Sequence, residues 1–274
     1  MLLSSAFNLD SLIFGTTYLR SSPLGKLDPR IKILSTLFLI IVTALTVDVR
    51  AYFILSLLLI AVIAISRIPL KMLLVNVRPF IFLVLFTFIL HLIFSNSGGR
   101  VILDLGFWEL TRTALIKGLL FSWRILLMFV ITVVFSMSTD PLDISDSLVS
   151  LFRPMRLLRI KVDQLGLLFF MALRFIPLMS QQMQAIYSAQ ISRGFNPAGN
   201  ILRRLKNSLP LLKAVFAALI RSADRIALAL QARGFHPDRP RTSLRKFSIN
   251  AVDCAVLLVV GLVCAAVIYL EYYV

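Results

Sequence analysis

The sequence predicts an all-α integral membrane protein with about five transmembrane helices and a cytoplasmic domain of two long amphipathic helices and a shorter one. Three observations support this fold class. Hydrophobic residues make up 59% of the 274 residues, and the mean hydropathy is +0.90, whereas soluble domains are about 45–50% apolar. Apolar runs of near-membrane length recur along the chain. A long basic stretch between two of these runs has the period of amphipathic helices.

Five apolar runs are long enough, or nearly so, to cross a bilayer, since about 20 residues at 1.5 Å each cover its hydrocarbon core of about 30 Å. They are residues 33–47, 52–65, 80–94, 119–137 and 252–270. The first two runs are the shortest and could form one helical hairpin with short arms instead. We therefore divide the chain into residues 1–138 with four spans, a cytoplasmic domain at 139–250, and a final span at 251–274.

Charges next to the runs predict the orientation. The chain carries a net charge of +16, and Lys and Arg gather beside alternate runs, whereas the other connections are nearly neutral. The basic residues before the first run and after the second are Arg20, Lys26, Arg30, Lys32, Arg67, Lys71 and Arg78. Cytoplasmic loops are the ones enriched in Lys and Arg. We therefore expect a multi-pass protein of the cell (inner) membrane, with the N-terminus, loop 66–79 and residues 139–250 in the cytoplasm. Because no basic-aromatic groove pattern occurs, the lipid bilayer is the expected partner of these charges and nucleic acid is not.

Residues 139–250 differ in kind from the apolar runs. They hold 17 Lys or Arg against 6 Asp or Glu, yet remain rich in Leu, Ile and Phe. Three helices are predicted: one that starts at Asp140-Pro141, where Asp can cap and Pro suits the first turn, one over 163–193 and one over 201–233.

The last of these helices shows the clearest amphipathic pattern. Apolar residues recur at steps of three and four, which indicates a single buried stripe: Leu205, Leu209, Leu212, Phe216, Leu219, Ala223, Ile226 and Leu230. Such basic helices can lie at the cytoplasmic membrane surface, and a soluble helical subdomain is the alternative. Pro177 and Pro210 fall inside the two long helices and either kink them or divide each into two.

An internal near-repeat joins the two long helices. Residues 186–197 align with 226–237 at an offset of 40 residues, with Ile, Ala, Arg, Gly, Phe and Pro in register. Both helices therefore end in the same chemistry: Arg193-Gly194 and Arg233-Gly234. Gly just past a helix supplies the left-handed stop, and Arg in the last turn is favourable beside unpaired carbonyls. Its guanidinium offers five donors to a partner's carboxylates or carbonyls. An Arg-Gly that merely closes each helix is the structural alternative.

The two triplets, Ser192-Arg193-Gly194 and Ala232-Arg233-Gly234, resemble the paired Ala-Arg-Gly signatures of energy-coupling factor T components, the EcfT/CbiQ-like family. The resemblance extends to residues 27–32 before the first run and to residues 172–177 in the second cytoplasmic helix. It covers nearly the whole chain after about residue 22.

This resemblance implies a non-catalytic subunit of an ATP-driven importer. T components join two cytoplasmic ABC-type ATPases to a membrane-embedded S component, which captures a vitamin or metal ion. The resemblance implies that the two long helices act as coupling helices, and that Ser192, Arg193, Gly194, Ala232, Arg233 and Gly234 dock on the ATPases. No cofactor or resident metal is expected.

Other residues argue against catalysis by this chain. The sequence contains no Gly-x-x-x-x-Gly-Lys-Ser/Thr phosphate loop and no His/Cys/Glu cluster with zinc spacing. We expect His91 to be an interfacial residue, Asp253 to favour a helix N-terminus, and Arg124 to meet a partner across a subunit interface or to snorkel. A self-contained secondary transporter is the main alternative function. It would favour paired, interrupted spans with ionisable residues at the midplane, of which these runs hold few.

Overall fold

A computed structural model of the chain describes residues 23–66, 68–94, 101–104, 109–152, 154, 162–194, 201–236 and 250–273. After a short 3-10 helix at Pro23–Lys26, eight α-helices follow. They are α1 (Pro29–Leu45), α2 (Val49–Ser66), α3 (Leu70–Phe94), α4 (Arg112–Ser138), α5 (Pro141–Leu151), α6 (Val162–Ser192), α7 (Ile201–Ala232) and α8 (Ala251–Tyr273). The described residues up to Ser147 and from Asn250 onward form one compact unit, and those from Leu148 to His236 form a second.

The all-α prediction is confirmed, with one small addition. Strands β1 (Val101–Asp104) and β2 (Glu109–Thr111) pair antiparallel between α3 and α4. Helix α3 also begins about ten residues earlier than its apolar run. Most of the expected loop 66–79 is therefore helical, because Lys71 to Val75 are helix-compatible residues and Pro69 accepts the first backbone hydrogen bonds.

Two carboxylates join the first and last helices of the first unit. Asp253, in the first turn of α8, accepts hydrogen bonds of 2.9 Å from the backbone N–H groups of Asp28 and Asn250. Glu271, near the other end of α8, accepts bonds of 3.1 Å from the N–H groups of Val47 and Asp48. Helices α1 and α8 therefore run parallel, with a tie at each end.

The pairing of α1 with α8 shows how far the first short apolar run extends along the unit. Between its two tied ends α8 rises roughly 27 Å, and α1 with its flanking residues covers about the same distance. Helix α1 has 17 residues, but it reaches as far along the unit as α8, which is long and apolar enough to cross a membrane. That α1 crosses the membrane stays a prediction, as does the alternative of a hairpin with short arms.

The remaining helices of this unit alternate in direction. The buried ammonium of Lys32 donates to the Ser138 carbonyl at 3.0 Å, which brings the end of α4 beside the start of α1. At the opposite end of α1, Arg124 of α4 donates to the Tyr52 hydroxyl at 2.9 Å and to the Thr46 carbonyl. The start of α1, the end of α4 and the start of α8 thus share one end of the unit.

Arg124 has partners within its own chain, so the expected contact across a subunit interface is not required. Its guanidinium also lies 4.9 Å from the centre of the Phe121 ring. The Phe121 ring also stacks with the imidazole of His91, at 4.4 Å between ring centres. His91 therefore packs α3 against α4, and the intramembrane cation is satisfied by a hydroxyl, a carbonyl and an aromatic ring.

Five described helices satisfy length and composition criteria for a membrane span: α2, α3, α4, α6 and α8. Four of them contain predicted runs. Helix α6 was expected to be a cytoplasmic amphipathic helix, and it is the least apolar of the five. Composition alone makes α6 compatible with lipid, and its position outside the bilayer belongs to the proposal below.

The long helices of the second unit are continuous through their prolines. Pro177 lies inside α6 and Pro210 inside α7, so of the two alternatives, a kinked helix or two shorter helices, the division into shorter helices is wrong. The shorter α5 begins as predicted, because the Asp140 carboxylate accepts the Leu142 N–H at 3.0 Å. The expectation of one buried stripe along α7 is only half correct. The exposed members of the predicted stripe are Leu209, Leu212, Phe216 and Ala223, and 64% of the surface of Phe216 is exposed. Leu219, Ile226 and Leu230 are half-buried, and the side chain of Leu205 lies outside the described residues.

Candidate functional site

Helix α6 ends in the way that the sequence predicts. Its last residue is Ser192, Arg193 follows in the cap position, and Gly194 has a left-handed φ of 86°. The Gly194 N–H donates to the Ile191 carbonyl at 2.9 Å, one of the two bonds of a Schellman cap. Ser192, which stands where the family signature has Ala, satisfies its hydroxyl locally by donating to the Ser188 carbonyl at 3.2 Å.

Helix α7 ends in the same geometry. Ala232 is its last residue, and Gly234 has a φ of 71°. The Gly234 N–H donates to the Gln231 carbonyl at 2.9 Å, and the Phe235 N–H donates to the Leu230 carbonyl at 3.0 Å. These are the two bonds of a complete Schellman cap. The prediction of a left-handed stop is therefore confirmed at both ends.

The glycines are required by conformation and not by space. A Cβ atom at Gly194 or Gly234 would meet no heavy atom within 4 Å. The left-handed backbone alone costs an ordinary L-residue about 1–2 kcal/mol. Each glycine thus allows the chain to turn away immediately after an arginine.

Both arginine side chains extend into open space. Arg193 and Arg233 are exposed, and among the described side chains neither has an acidic partner. Their guanidinium groups are therefore available to another molecule. Residues 195–200 and 237–249, which contain Pro197 and Pro237 of the repeat, lie outside the described part of the chain.

The two ends lie far apart because α6 and α7 run antiparallel. Gln182 of α6 donates to the Ser222 hydroxyl of α7 at 3.0 Å. Met171 precedes Gln182 on α6, and Arg233 follows Ser222 on α7, yet the two residues line the same groove. The two helices therefore run in opposite directions. Arg193 is about 20 residues further along α6, roughly 30 Å away at 1.5 Å per residue. The two equivalent tips therefore cannot enter one shared socket.

The groove beside the α7 end has a volume of about 490 Å³. Its apolar walls come from Met171, Phe175, Leu178, Ile226 and Leu230. Two cations, Arg174 and Arg233, also line it. Arg174 lies in the segment 172–177 that resembles the family, but no role was predicted for it from the sequence. The short connection between α6 and α7 predicts an antiparallel pair, and that signal would have placed residues of early α6 beside the end of α7.

A metal centre has no support in the described part of the chain. No group of three His, Cys, Asp or Glu side chains there is arranged to hold a metal ion. The geometry of the site suits recognition of acidic groups, because its polar members are guanidiniums and amides.

Comparison with known proteins gives a consistent result. Residues 20–244 match the model of the family described as CbiQ, cobalt transport protein. A Bacillus subtilis (strain 168) protein named energy-coupling factor transporter transmembrane protein EcfT is 30% identical over 264 residues, which cover 96% of this chain and 99% of the relative. A protein of the same name from Lacticaseibacillus paracasei is 33% identical, covering 86% of this chain and 90% of that relative. One from Streptococcus thermophilus is 31% identical over 89% of this chain and 93% of its own.

Proposed function

This chain belongs to the CbiQ family of transmembrane T components of energy-coupling factor transporters, and from that membership we propose that it couples two cytoplasmic ATPases to a membrane-embedded S component. ATP is hydrolysed by the partner subunits, and the S component selects the vitamin or metal ion. In this proposal the T component transmits conformational change and does not take part in the hydrolysis of ATP.

One observation carries this proposal: two exposed Arg-Gly helix ends with the same cap lie at opposite ends of one antiparallel pair. A separation of roughly 30 Å assigns one tip to each ATPase. Arg193 docks on one subunit and Arg233 on the other. Each guanidinium meets an acidic or carbonyl group in its socket.

The contact between the helices explains how motion is transmitted. Gln182 and Ser222 hydrogen-bond where α6 and α7 pack together. When the ATPases close on ATP, their sockets move relative to each other, and the two tips must follow. The packed contact then converts a displacement of the tips into a change in the angle between the helices. The exposed apolar residues of α7, among them Leu212 and Phe216, offer a surface to the S component.

Orientation follows from the end of the first unit that carries the basic residues. Arg30 and Lys32 lie in the first turn of α1, at the end of the unit that α1 shares with the end of α4 and the start of α8. Lys71 lies in the first turn of α3, whose Asn76 contacts Met137 at the end of α4. We propose that this end faces the cytoplasm, in line with the positive-inside rule. The stretch 139–250, with its 17 Lys or Arg against 6 Asp or Glu, is proposed to be cytoplasmic for the same reason. Val47 and Glu271 then lie at the outer surface.

Labelling with a membrane-impermeant maleimide tests this orientation. Single cysteines are introduced as Val47→Cys or Asn250→Cys in a chain whose Cys254 and Cys264 are replaced by Ser. Both positions are exposed. In intact cells we expect labelling of the first variant only, whereas inverted vesicles should label the second. Equal labelling of both from one side would show that α1 and α8 do not cross the membrane together.

Purification of the wild-type complex tests the proposed function itself. After mild detergent extraction we expect two ATPase subunits and a small membrane protein to remain bound through size-exclusion chromatography. The reconstituted complex should take up substrate only when ATP is supplied. Uptake by the purified chain alone in ATP-free liposomes would instead establish the secondary transporter.

A further inference from the structure

The two helix ends are chemically alike but their surroundings differ. The end of α7 borders a groove that also holds Arg174, which projects from α6 three turns after that helix begins. The end of α6 lies roughly 30 Å away, beyond this groove, whose lining residues do not include Arg193. Among the residues that the structure describes, the α7 tip thus has a second guanidinium, that of Arg174, in the same groove.

The charges of the groove are unbalanced. None of its ten lining residues is acidic, and Gln181 is the other polar side chain that could reach a ligand. Arg174 and Arg233 are both exposed, and their like charges raise the positive potential between the helices. A carboxylate between them would accept hydrogen bonds from both guanidiniums, which is the strong, charge-assisted geometry.

The apolar walls of the groove add a requirement to the negative charge of the ligand. Apolar side chains surround the two arginines, and the volume of about 490 Å³ falls within the range of roughly 300–1,000 Å³ found for ligand sites. Pro177, also in the lining, cannot donate a backbone hydrogen bond, so the Leu173 carbonyl one turn earlier has no intrahelical donor. The surface suits a protein segment that presents an acidic side chain next to an apolar one.

We propose that Arg174 is a second ATPase-binding residue, and that with Arg233 it clamps one carboxylate on the ATPase that receives the α7 end. This inference rests on the proposed function and extends it. The pair of guanidiniums gives the socket at the α7 end a requirement of its own. The ATPase at the α7 end must bring an acidic side chain flanked by an apolar residue.

The test measures the affinity of the full-length chain, in lipid nanodiscs, for the ATPase pair that co-purifies with it. Arg174→Ala should weaken binding about 30-fold or more and Arg174→Glu about 100-fold or more, as expected for one partner of a desolvated charged pair. Arg174→Lys should retain most of the affinity. Arg221→Glu is the matched control, because Arg221 is exposed on α7 but does not line the groove; it should change binding less than twofold.

A double-mutant cycle examines whether the two arginines share one carboxylate. Arg174→Ala combined with Arg233→Ala should weaken binding by clearly less than the product of the single effects. Arg174→Ala with Arg193→Ala should give the full product, because those two contacts are independent. Full additivity in the first pair would overturn the shared clamp.

The remaining outcomes separate this inference from the proposed function. If Arg233→Glu weakens binding but Arg174→Glu behaves like Arg221→Glu, the second contact is overturned and the coupling role stands. If neither weakens binding, both are overturned. If Arg174→Glu spares ATPase affinity and instead reduces retention of phosphatidylglycerol, the groove faces lipid and the inference is wrong. A thermal midpoint within about two degrees of wild type excludes misfolding as the cause.

Discussion

Reversing both tip charges, by Arg193→Glu with Arg233→Glu, should abolish transport while leaving the membrane-spanning unit folded. Each guanidinium is exposed and has no acidic partner among the described side chains, so its removal costs the isolated chain little. In the complex, each new carboxylate would face a socket built for a cation. Loss of a buried charged pair costs about 2–5 kcal/mol, and repulsion adds to it.

The size of the effect should depend on the number of tips changed. The contacts are roughly 30 Å apart, and distant sites contribute independently. Each single reversal should therefore weaken ATPase binding by about two to four orders of magnitude, and the double reversal by nearly the product. ATP hydrolysis by any ATPase that remains associated should no longer depend on substrate.

A control with the same charge change distinguishes docking from general electrostatics. Arg50→Glu with Arg221→Glu also reverses two exposed cations, but neither lies at a helix tip, since Arg50 is in the first turn of α2 and Arg221 is near the middle of α7. This variant should transport at more than half the wild-type rate. Proteoliposome uptake and ATPase binding are measured on both double variants. Wild-type transport after reversal of both tips would refute the coupling role of these arginines.

The helix ends could be predicted from sequence because their causes are local. A left-handed cap needs Gly immediately after the last turn, and Gly194 and Gly234 occupy that position in both copies of the repeat. The same holds for the Asp140 cap of α5. Each of these features depends on residues within one turn of one another, so the pattern along the chain contains the information.

The groove and the ties between helices could not be predicted in the same way. Asp28 and Asp253 are 225 residues apart, and nothing in the local sequence of either one identifies the other as its partner. Arg174 becomes a neighbour of Arg233 only through the antiparallel register of α6 and α7. The partners of Arg124 were missed for the same reason, since Tyr52 and Thr46 lie on a different helix and in a turn.

Replacing Asp253, the buried carboxylate that joins α8 to the start of α1, should destabilise the protein more than replacing Glu271 at the opposite end of α8. Only 2% of the surface of Asp253 is exposed. In Asp253→Ala, the N–H groups of Asp28 and Asn250 lose their acceptor, and an unsatisfied buried donor costs about 1–3 kcal/mol. We therefore expect a decrease of about 1–3 kcal/mol, mainly from the buried N–H of Asp28, because Asn250 is exposed and water can replace its lost acceptor. Asp253→Asn keeps one acceptor oxygen and should lose about half as much.

Glu271 at the opposite end of α8 provides the comparison, because it makes the same kind of tie in a more solvent-accessible place. It also accepts two backbone N–H groups, those of Val47 and Asp48, but Val47 is exposed and water can replace the lost acceptor. Glu271→Ala should therefore cost about 1 kcal/mol or less. Thermal unfolding of the purified chain in one detergent should rank the variants accordingly, with a shift of about 2–4 °C per kcal/mol. Equal midpoints for Asp253→Ala and Glu271→Ala would mean that burial does not make the hydrogen bonds of Asp253 stronger than those of Glu271.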